Sequence, residues 1–294
     1  MKRILITGGS GFIGRNLAEL FAGEYAVSAP PRAELNLADS ESVKKYFAVR
    51  EFHTVLHCAI KPGHRNAKDP SGQLYDNTRM FFNLAAQEQR FGRLIFIGSG
   101  MVYDRRFYQP KMREDYCGEH LPEDEGGLSK FVIAKHIEKS ANMLELRPFG
   151  VYGKYEDYSI RFISNAICKV LCGLPISIRK NRRFDYIPVG DLACVIRHFI
   201  GHDAAFKAYN VAPDRSVELL EIAALVRKIS GSKLPVQIAE PGLDVEYSGD
   251  NSRLKTEIPG LKFTSLENGV RALYEWYKAN PGLINRELLL CDKN

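Results

Sequence analysis

The 294-residue sequence has no run approaching ~20 apolar residues, so no hydrophobic membrane-spanning helix is expected. Its six cysteines, at positions 58, 117, 168, 172, 194 and 291, form no CxxC pair and no metal-binding spacing. Cys168 and Cys172 stand one helical turn apart, which reads as core packing, and no metal is expected. Neither sign of charge dominates: 41 Lys and Arg against 35 Asp and Glu leave a net +6, in short runs broken by acids. Without a basic stripe carrying interleaved aromatics, nucleic acid is not the expected partner, although the small positive bias suits a phosphorylated ligand. There is no internal repeat or low-complexity tract, so a solenoid is not expected. No leader is expected ahead of the first apolar run, which makes the cytoplasm the expected compartment. Apolar residues make up 45 % of the chain, enough for one large domain or two closely joined ones.

Residues 1 to 14 carry the strongest local pattern. Ile4-Leu5-Ile6 is an apolar run of strand length, Thr7 to Gly11 is too rich in glycine for either regular element, and Asn16 to Phe21 has helical spacing. Glycines at 8, 11 and 14 let the backbone turn tightly, approach a pyrophosphate and pack a helix closely on a sheet. The helix start then offers unpaired N–H groups to phosphate oxygens, so a nucleotide cofactor is the expected ligand.

Beyond this turn the chain alternates strand and helix. Tyr25 to Ala29 reads as a second strand, but the acid that would bind ribose hydroxyls after it is missing from Ala29-Pro30-Pro31-Arg32. Arg32 suits a 2′-phosphate, which favours NADP and leaves NAD open; a solvated arginine after a proline turn is the alternative. Asp39 or Ser40 caps a helix from Glu41 to Arg50, and Thr54 to Ala59 is a compact strand ending in small residues. His57 within it reads as a core histidine before a catalytic one. Asn77 to Gln89 has helical character, and Arg93 to Gly100 is a buried strand whose terminal Ser99 faces the same crevice as the glycine turn. The irregular stretch from Asp104 to Gly127 reads as a lid or binding loop. Leu128 to Ala141 is helical again, and Leu144 to Arg147 is a strand ended by Pro148. The composition then changes, with helices at 160–171, 191–200, 216–228 and 266–279, a strand at Ser177-Ile178 and a basic turn from Arg179 to Arg183. The pattern predicts an α/β fold, a Rossmann-type doubly wound parallel sheet over residues 1–150. A smaller mixed α/β substrate-binding portion follows over 151–294, some of whose segments return to the first domain.

Five segments together resemble the extended short-chain dehydrogenase/reductase superfamily, in its nucleotide-sugar epimerase, dehydratase and reductase group. They are Gly8 to Gly14, Gly98 to Tyr103, Gly127 to Lys130, Leu146 to Gly153 and Phe184 to Ala193. The resemblance implies hydride transfer between NAD(P) and a sugar carbon, with Ser99 bonding the sugar oxygen and Lys130 binding the nicotinamide ribose. It implies cofactor contacts at Gly8, Gly11, Phe12, Ile13, Gly14, Arg32, Asn36, Leu37, Ala59, Ser99, Lys130, Pro148, Gly150 and Val151. It also implies a nucleotide-sugar substrate and a homodimer built on the helices of residues 77–89 and 128–141. The segment Glu34 to Ser40 looks like the reductase branch, which with Arg32 favours NADPH-dependent reduction of a 4-keto sugar nucleotide. An epimerase, a dehydratase or a catalytically impaired nucleotide-sugar binder are the alternatives.

Two positions depart from the family pattern. Its proton-exchanging tyrosine stands four residues before the lysine, and here that position is Gly126. Tyr116, Tyr103 or His120 could substitute, the reaction could need less help from an acid, or the protein could bind without turnover. The second departure is Phe184, where an arginine for the substrate phosphate is common. Arg182 and Arg183, with Arg179 upstream, then take that role, or form a solvated basic turn.

Overall fold

The computed structural model describes residues 1–64 and 66–290. Its centre is a six-stranded, all-parallel sheet made of β1 (Arg3–Thr7), β2 (Ala26–Ser28), β3 (Phe52–His57), β4 (Phe91–Ile97), β5 (Met143–Pro148) and β6 (Ala208–Val211). The spatial order is β2-β1-β3-β4-β5-β6. β1 pairs with β2 on one side and β3 on the other, so the chain reverses its direction of travel across the sheet at the carboxyl ends of β1 and β3. Ligands of open parallel sheets sit at such a switch point.

Side chains alternate through the sheet and feed two cores. Ile4, Ile6, Leu56, Ile95 and Leu146 pack beneath α1 (Phe12–Phe21) and the helix Val189–Gly201. Leu5, Val55, Leu94 and Phe96 face α2 (Ser40–Ala48), α3 (Gln73–Ala85) and α4 (Glu125–Ile137). A third core, with Tyr152, Ile167, Ile178, Ile222 and Leu273, lies under the helices Phe162–Leu171, Leu219–Ser230 and Leu266–Ala279. A small fourth core around Val102, Tyr103, Phe149 and Ala212 joins the end of the sheet to Tyr108, Tyr116 and Tyr247.

Several expectations need correction. α3 starts at Gln73 rather than Asn77, because Gly72 (φ 65°) admits the left-handed turn that launches it. The basic segment expected as a turn is strand, Ile176–Asn181 followed by Arg183–Phe184. The first pairs in parallel with Val236–Leu243, and Ile176 and Ile178 turn into the third core. Neither Val236–Leu243 nor β6 was expected. The stretch 104–127 contains two single turns of 3-10 helix, Arg105–Phe107 and Glu114–Tyr116, and the start of α4. Among the described residues no helix is long and apolar enough to cross a membrane. Cys168 is a buried member of the third core, and Cys291 lies outside the described residues.

Candidate active site

The site is built on the glycine turn between β1 and α1. Gly8 has φ 69°, and a Cβ there would lie 2.8 Å from the Ala59 backbone, so the end of β1 touches the end of β3. A Cβ on Gly14 would overlap the Gly8 carbonyl oxygen. That oxygen accepts the Gly11 N–H at 2.9 Å and closes the turn. Gly11 occupies the cap position of α1, and no side chain caps the helix. The N–H groups of its first turn, from Phe12, Ile13 and Gly14, are the ones a helix leaves without partners and an anion can use. The turn, its missing Cβ atoms and the uncapped helix end fit a dinucleotide pyrophosphate.

Around this turn the sheet places the other residues. Thr7 Oγ1 lies 2.8 Å from His57 Nδ1 and accepts the Ala59 N–H at 3.3 Å, which locks β1 to β3. Burial and the nearby Lys130 cation depress the His57 pKa to about 3, so the ring is neutral and structural. Leu37 is a core residue, while Asn36 organises its own loop by accepting the Ala38 N–H. Arg32 is exposed just past β2 and makes no hydrogen bond or ion pair among the described residues. At the end of β5, Gly150 accepts the Ile187 N–H at 2.8 Å and Val151 pairs with Ile187, which directs the chain after Pro148 into the substrate-side portion.

Ser99 follows β4, half-buried, and its hydroxyl accepts the Met101 N–H at 3.2 Å. Lys130 comes from α4, whose start is fixed by Asp124 accepting the Gly127 N–H at 2.8 Å. The Lys130 side chain is 5 % exposed, and its ammonium lies 5.4 Å from the centre of the Phe96 ring, in a recess lined by His57, Ala59, Asn77 and Ser129. It has no hydrogen bond or ion pair among the described residues, and burial lowers its pKa to about 8 against the pull of Glu145 and Asp124. A buried cation with no hydrogen bond or ion pair among the described residues suits a polar ligand at the switch point.

The two expected tyrosine substitutes are committed elsewhere. Tyr103 is buried, donates its hydroxyl to Asn210 Oδ1 at 2.9 Å and accepts from Arg147 at 3.2 Å. Arg147 in turn holds buried Glu145 at 2.8 Å, and Asn210 donates to the Met112 carbonyl at 2.8 Å. This chain of polar groups ties β4, β5 and β6 together, and Tyr103 is one of its links. The Tyr116 hydroxyl is directed to the Phe107 carbonyl at 3.5 Å, and His120 stacks on Phe107 with ring centres 3.7 Å apart. Gly126 has no side chain, and the space beside it is filled by Gln73, Asp124 and Met101.

The expected substrate arginines are also paired. Arg179 bonds Glu240 at 2.9 Å, Arg182 pairs with Asp244, and Arg183 bonds Glu218 at 2.8 Å. Another cation, unmarked in the sequence, lies near the segments that follow β5. Arg161 is exposed at the uncapped start of the helix Phe162–Leu171, has no ion pair among the described residues, and acts electrostatically on Tyr186 and Tyr247. No motif marked it, because its neighbours in space come from segments 25 and 86 residues later (186 − 161 and 247 − 161).

Residues 4–212 match the NAD dependent epimerase/dehydratase family, a span holding the glycine turn, Ser99 and Lys130. The chain belongs to that family. Membership makes it one of the NAD(P)-dependent enzymes that act on nucleotide sugars. It is 26 % identical to a GDP-L-fucose synthase of Azorhizobium caulinodans over 307 aligned positions, covering 94 % of this chain and 96 % of the relative. It also resembles the solved structure of MlghC, a GDP-mannoheptose C4 reductase from Campylobacter jejuni with NADP bound. There the TM-score is 0.81 at 21 % identity, covering 94 % of this chain and 98 % of the other. A UDP-glucose 4-epimerase of Thermus thermophilus in complex with NAD superposes with TM-score 0.77 at 21 % identity, covering 94 % and 99 %. A protein named a reductase and one named an epimerase thus share this chain's fold.

Proposed function

We propose that the protein is an NADPH-dependent reductase of a 4-keto nucleotide sugar. The observation that carries the cofactor choice is the end of β2, where no acid follows and Arg32 stands exposed with no partner among the described residues. The first N–H groups of α1 would hold the pyrophosphate, Arg32 the 2′-phosphate and Lys130 the hydroxyls of the nicotinamide ribose. When bound there, the dihydronicotinamide supplies a hydride to the sugar carbonyl carbon. Ser99 donates a hydrogen bond to the carbonyl oxygen and stabilises the charge that develops on it. Arg161 supplies the cation for the diphosphate of the substrate, in place of the paired Arg179, Arg182 and Arg183. The name of the similar solved structure, a GDP-mannoheptose C4 reductase, supports the direction of the reaction.

The test is to mix the protein with NADPH and a panel of 4-keto sugar nucleotides, following the absorbance of the reduced cofactor and analysing the sugar product. Oxidation of NADPH matched by a reduced sugar is the expected result. Interconversion of two sugar epimers without net cofactor oxidation would make the protein an epimerase, and binding without conversion would make it a nucleotide-sugar binder. Arg32→Ala should weaken NADPH by ~1.5–3 kcal/mol while leaving NADH unchanged. Equal weakening of both cofactors removes the 2′-phosphate role.

A further inference from the structure

A phenol reaches Ser99 from the other end of the chain. Tyr247 lies where the segment after Val236–Leu243 crosses back over the sheet end, and its backbone is held on both sides. Its N–H donates to the Arg183 carbonyl at 2.9 Å, and its carbonyl accepts the Asp185 N–H at 3.2 Å. Two residues on, Gly249 N–H donates to Asp185 Oδ2 at 2.8 Å. The ring packs between Phe149, with centres 4.9 Å apart, and Tyr108, at 5.1 Å, while Phe184 lies 6.0 Å away. These contacts fix where the phenol ends. A Cβ built on Gly100 would lie 2.7 Å from the Tyr247 hydroxyl, which places that hydroxyl beside the residue that follows Ser99 in the chain. Glycine at 100 is thus the space that lets the phenol in.

We propose that Tyr247 is the proton donor of this active site, taking over from the substrate-side portion the task that position 126 of α4 cannot perform. The proposal rests on the reductase reading above. As hydride reaches the carbonyl carbon, the C=O π bond breaks, a C–H bond forms, and the electron pair on oxygen takes the proton from the Tyr247 hydroxyl. The carbonyl is reduced to an alcohol, and the phenolate left on Tyr247 recovers a proton from water. Ser99 donates its hydroxyl proton to the same oxygen and holds it while the phenol protonates it.

The surroundings of Tyr247 also bear on its protonation state. The tyrosine–lysine arrangement one helical turn apart places an ammonium beside the phenol and favours the phenolate. Here burial and the neighbouring phenols Tyr108 and Tyr103 push the Tyr247 pKa well up, opposed by the Ser99 hydroxyl and the Arg161 cation. The phenol is therefore protonated at neutral pH and, as a weak acid, gives up its proton only to the much more basic alkoxide oxygen that develops as hydride arrives.

The proposal is tested by Tyr247→Phe in single-turnover kinetics at saturating NADPH. The expected result is a chemical step slower by ~100-fold or more, with the NADPH affinity unchanged by fluorescence titration. A second readout needs no turnover: in the cofactor-free protein, the ultraviolet difference titration between wild type and Tyr247→Phe should show one phenol ionising above the ordinary tyrosine range. Should Tyr247→Phe misfold, a fluorinated tyrosine incorporated at 247 keeps the shape and lowers the phenol pKa. It should then move the alkaline limb of the pH–rate profile to lower pH. An active wild type whose chemical rate survives in Tyr247→Phe, or an alkaline limb unmoved by fluorination, overturns this assignment alone. A wild type that never oxidises NADPH overturns the reductase reading and this assignment with it.

Discussion

Gly126 abuts the side-chain amide of Gln73: a Cβ at 126 would lie 3.0 Å from Gln73 Oε1. Gln73 donates from Nε2 to the Pro70 carbonyl at 3.0 Å, so the amide is held in the space that a larger residue at 126 would need. Gly126→Tyr should therefore lose that hydrogen bond and cost about 1 kcal/mol in urea denaturation. Combining it with Gln73→Ala should recover most of the loss, a coupling of about 1 kcal/mol between neighbours. Strictly additive effects of the two substitutions would show that Gln73 is not the obstacle.

The two glycines that frame the turn should fail in different ways. Gly14→Ala drives a methyl into the Gly8 carbonyl and should destabilise the protein by about 1–3 kcal/mol, read as a lower melting temperature. A Cβ at Gly11 meets only the Gly8 oxygen, at 3.3 Å, and this residue is already the cap of α1. Gly11→Asp should fold as well as the wild type, because its carboxylate can cap the helix, yet bind NADPH at least ~10-fold more weakly by occupying the anion site. Unchanged affinity in Gly11→Asp would detach the turn from cofactor binding.

Lys130 should make the cofactor-free protein more stable in alkali. Its folded pKa of about 8 lies below the ordinary 10.5, so folding penalises the charged form. The penalty is full below pH 8, is relieved as the pH rises from about 8 to 10.5, and is gone above that. The gap corresponds to about 3 kcal/mol as an upper figure. Lys130→Met should raise the melting temperature at pH 7, flatten this alkaline rise, and weaken cofactor binding. A thermal scan series across pH in wild type and variant measures both slopes, and parallel slopes would refute the assignment.

A homodimer through α3 and α4 is expected in solution. The two helices pack together through Phe81, Phe82 and His136, and α3 presents Tyr75, 67 % exposed, and Phe82, 38 % exposed, on its outer side. Sedimentation at micromolar concentration should give the mass of two chains, with Phe82→Glu shifting it to one. A wild-type monomer across that range excludes the dimer.

The sheet and the glycine turn were legible because their signals are local: Ile4-Leu5-Ile6 followed by glycines, Asp39 before α2, Ser99 at a strand end. What escaped depends on partners far along the chain. β6, Ala208-Tyr209-Asn210-Val211, is four residues long and buried at every position, so it shows no alternation to recognise. Arg179, Arg182 and Arg183 looked free because Glu240, Asp244 and Glu218 lie 35 to 62 residues away (218 − 183 and 244 − 182). Tyr103 carried the motif expected beside Ser99, but a motif cannot tell that Arg147 and Asn210 will take its hydroxyl. Tyr247 carried no signal, since only pairing with Arg183 and Asp185 brings it to Ser99.

β6 also sets the order in which this chain can mature. It pairs with β5 across Ala208↔Glu145 to Val211↔Pro148, and Asn210 closes the polar chain that holds Arg147. As the protein emerges from the ribosome, β5 presents an open edge and an unanchored Glu145–Arg147 pair until some sixty further residues (208 − 145 = 63) have been made. During that interval the half-built sheet is a template for another strand, and a chaperone that shields the β5 edge would be expected to raise the yield of native protein.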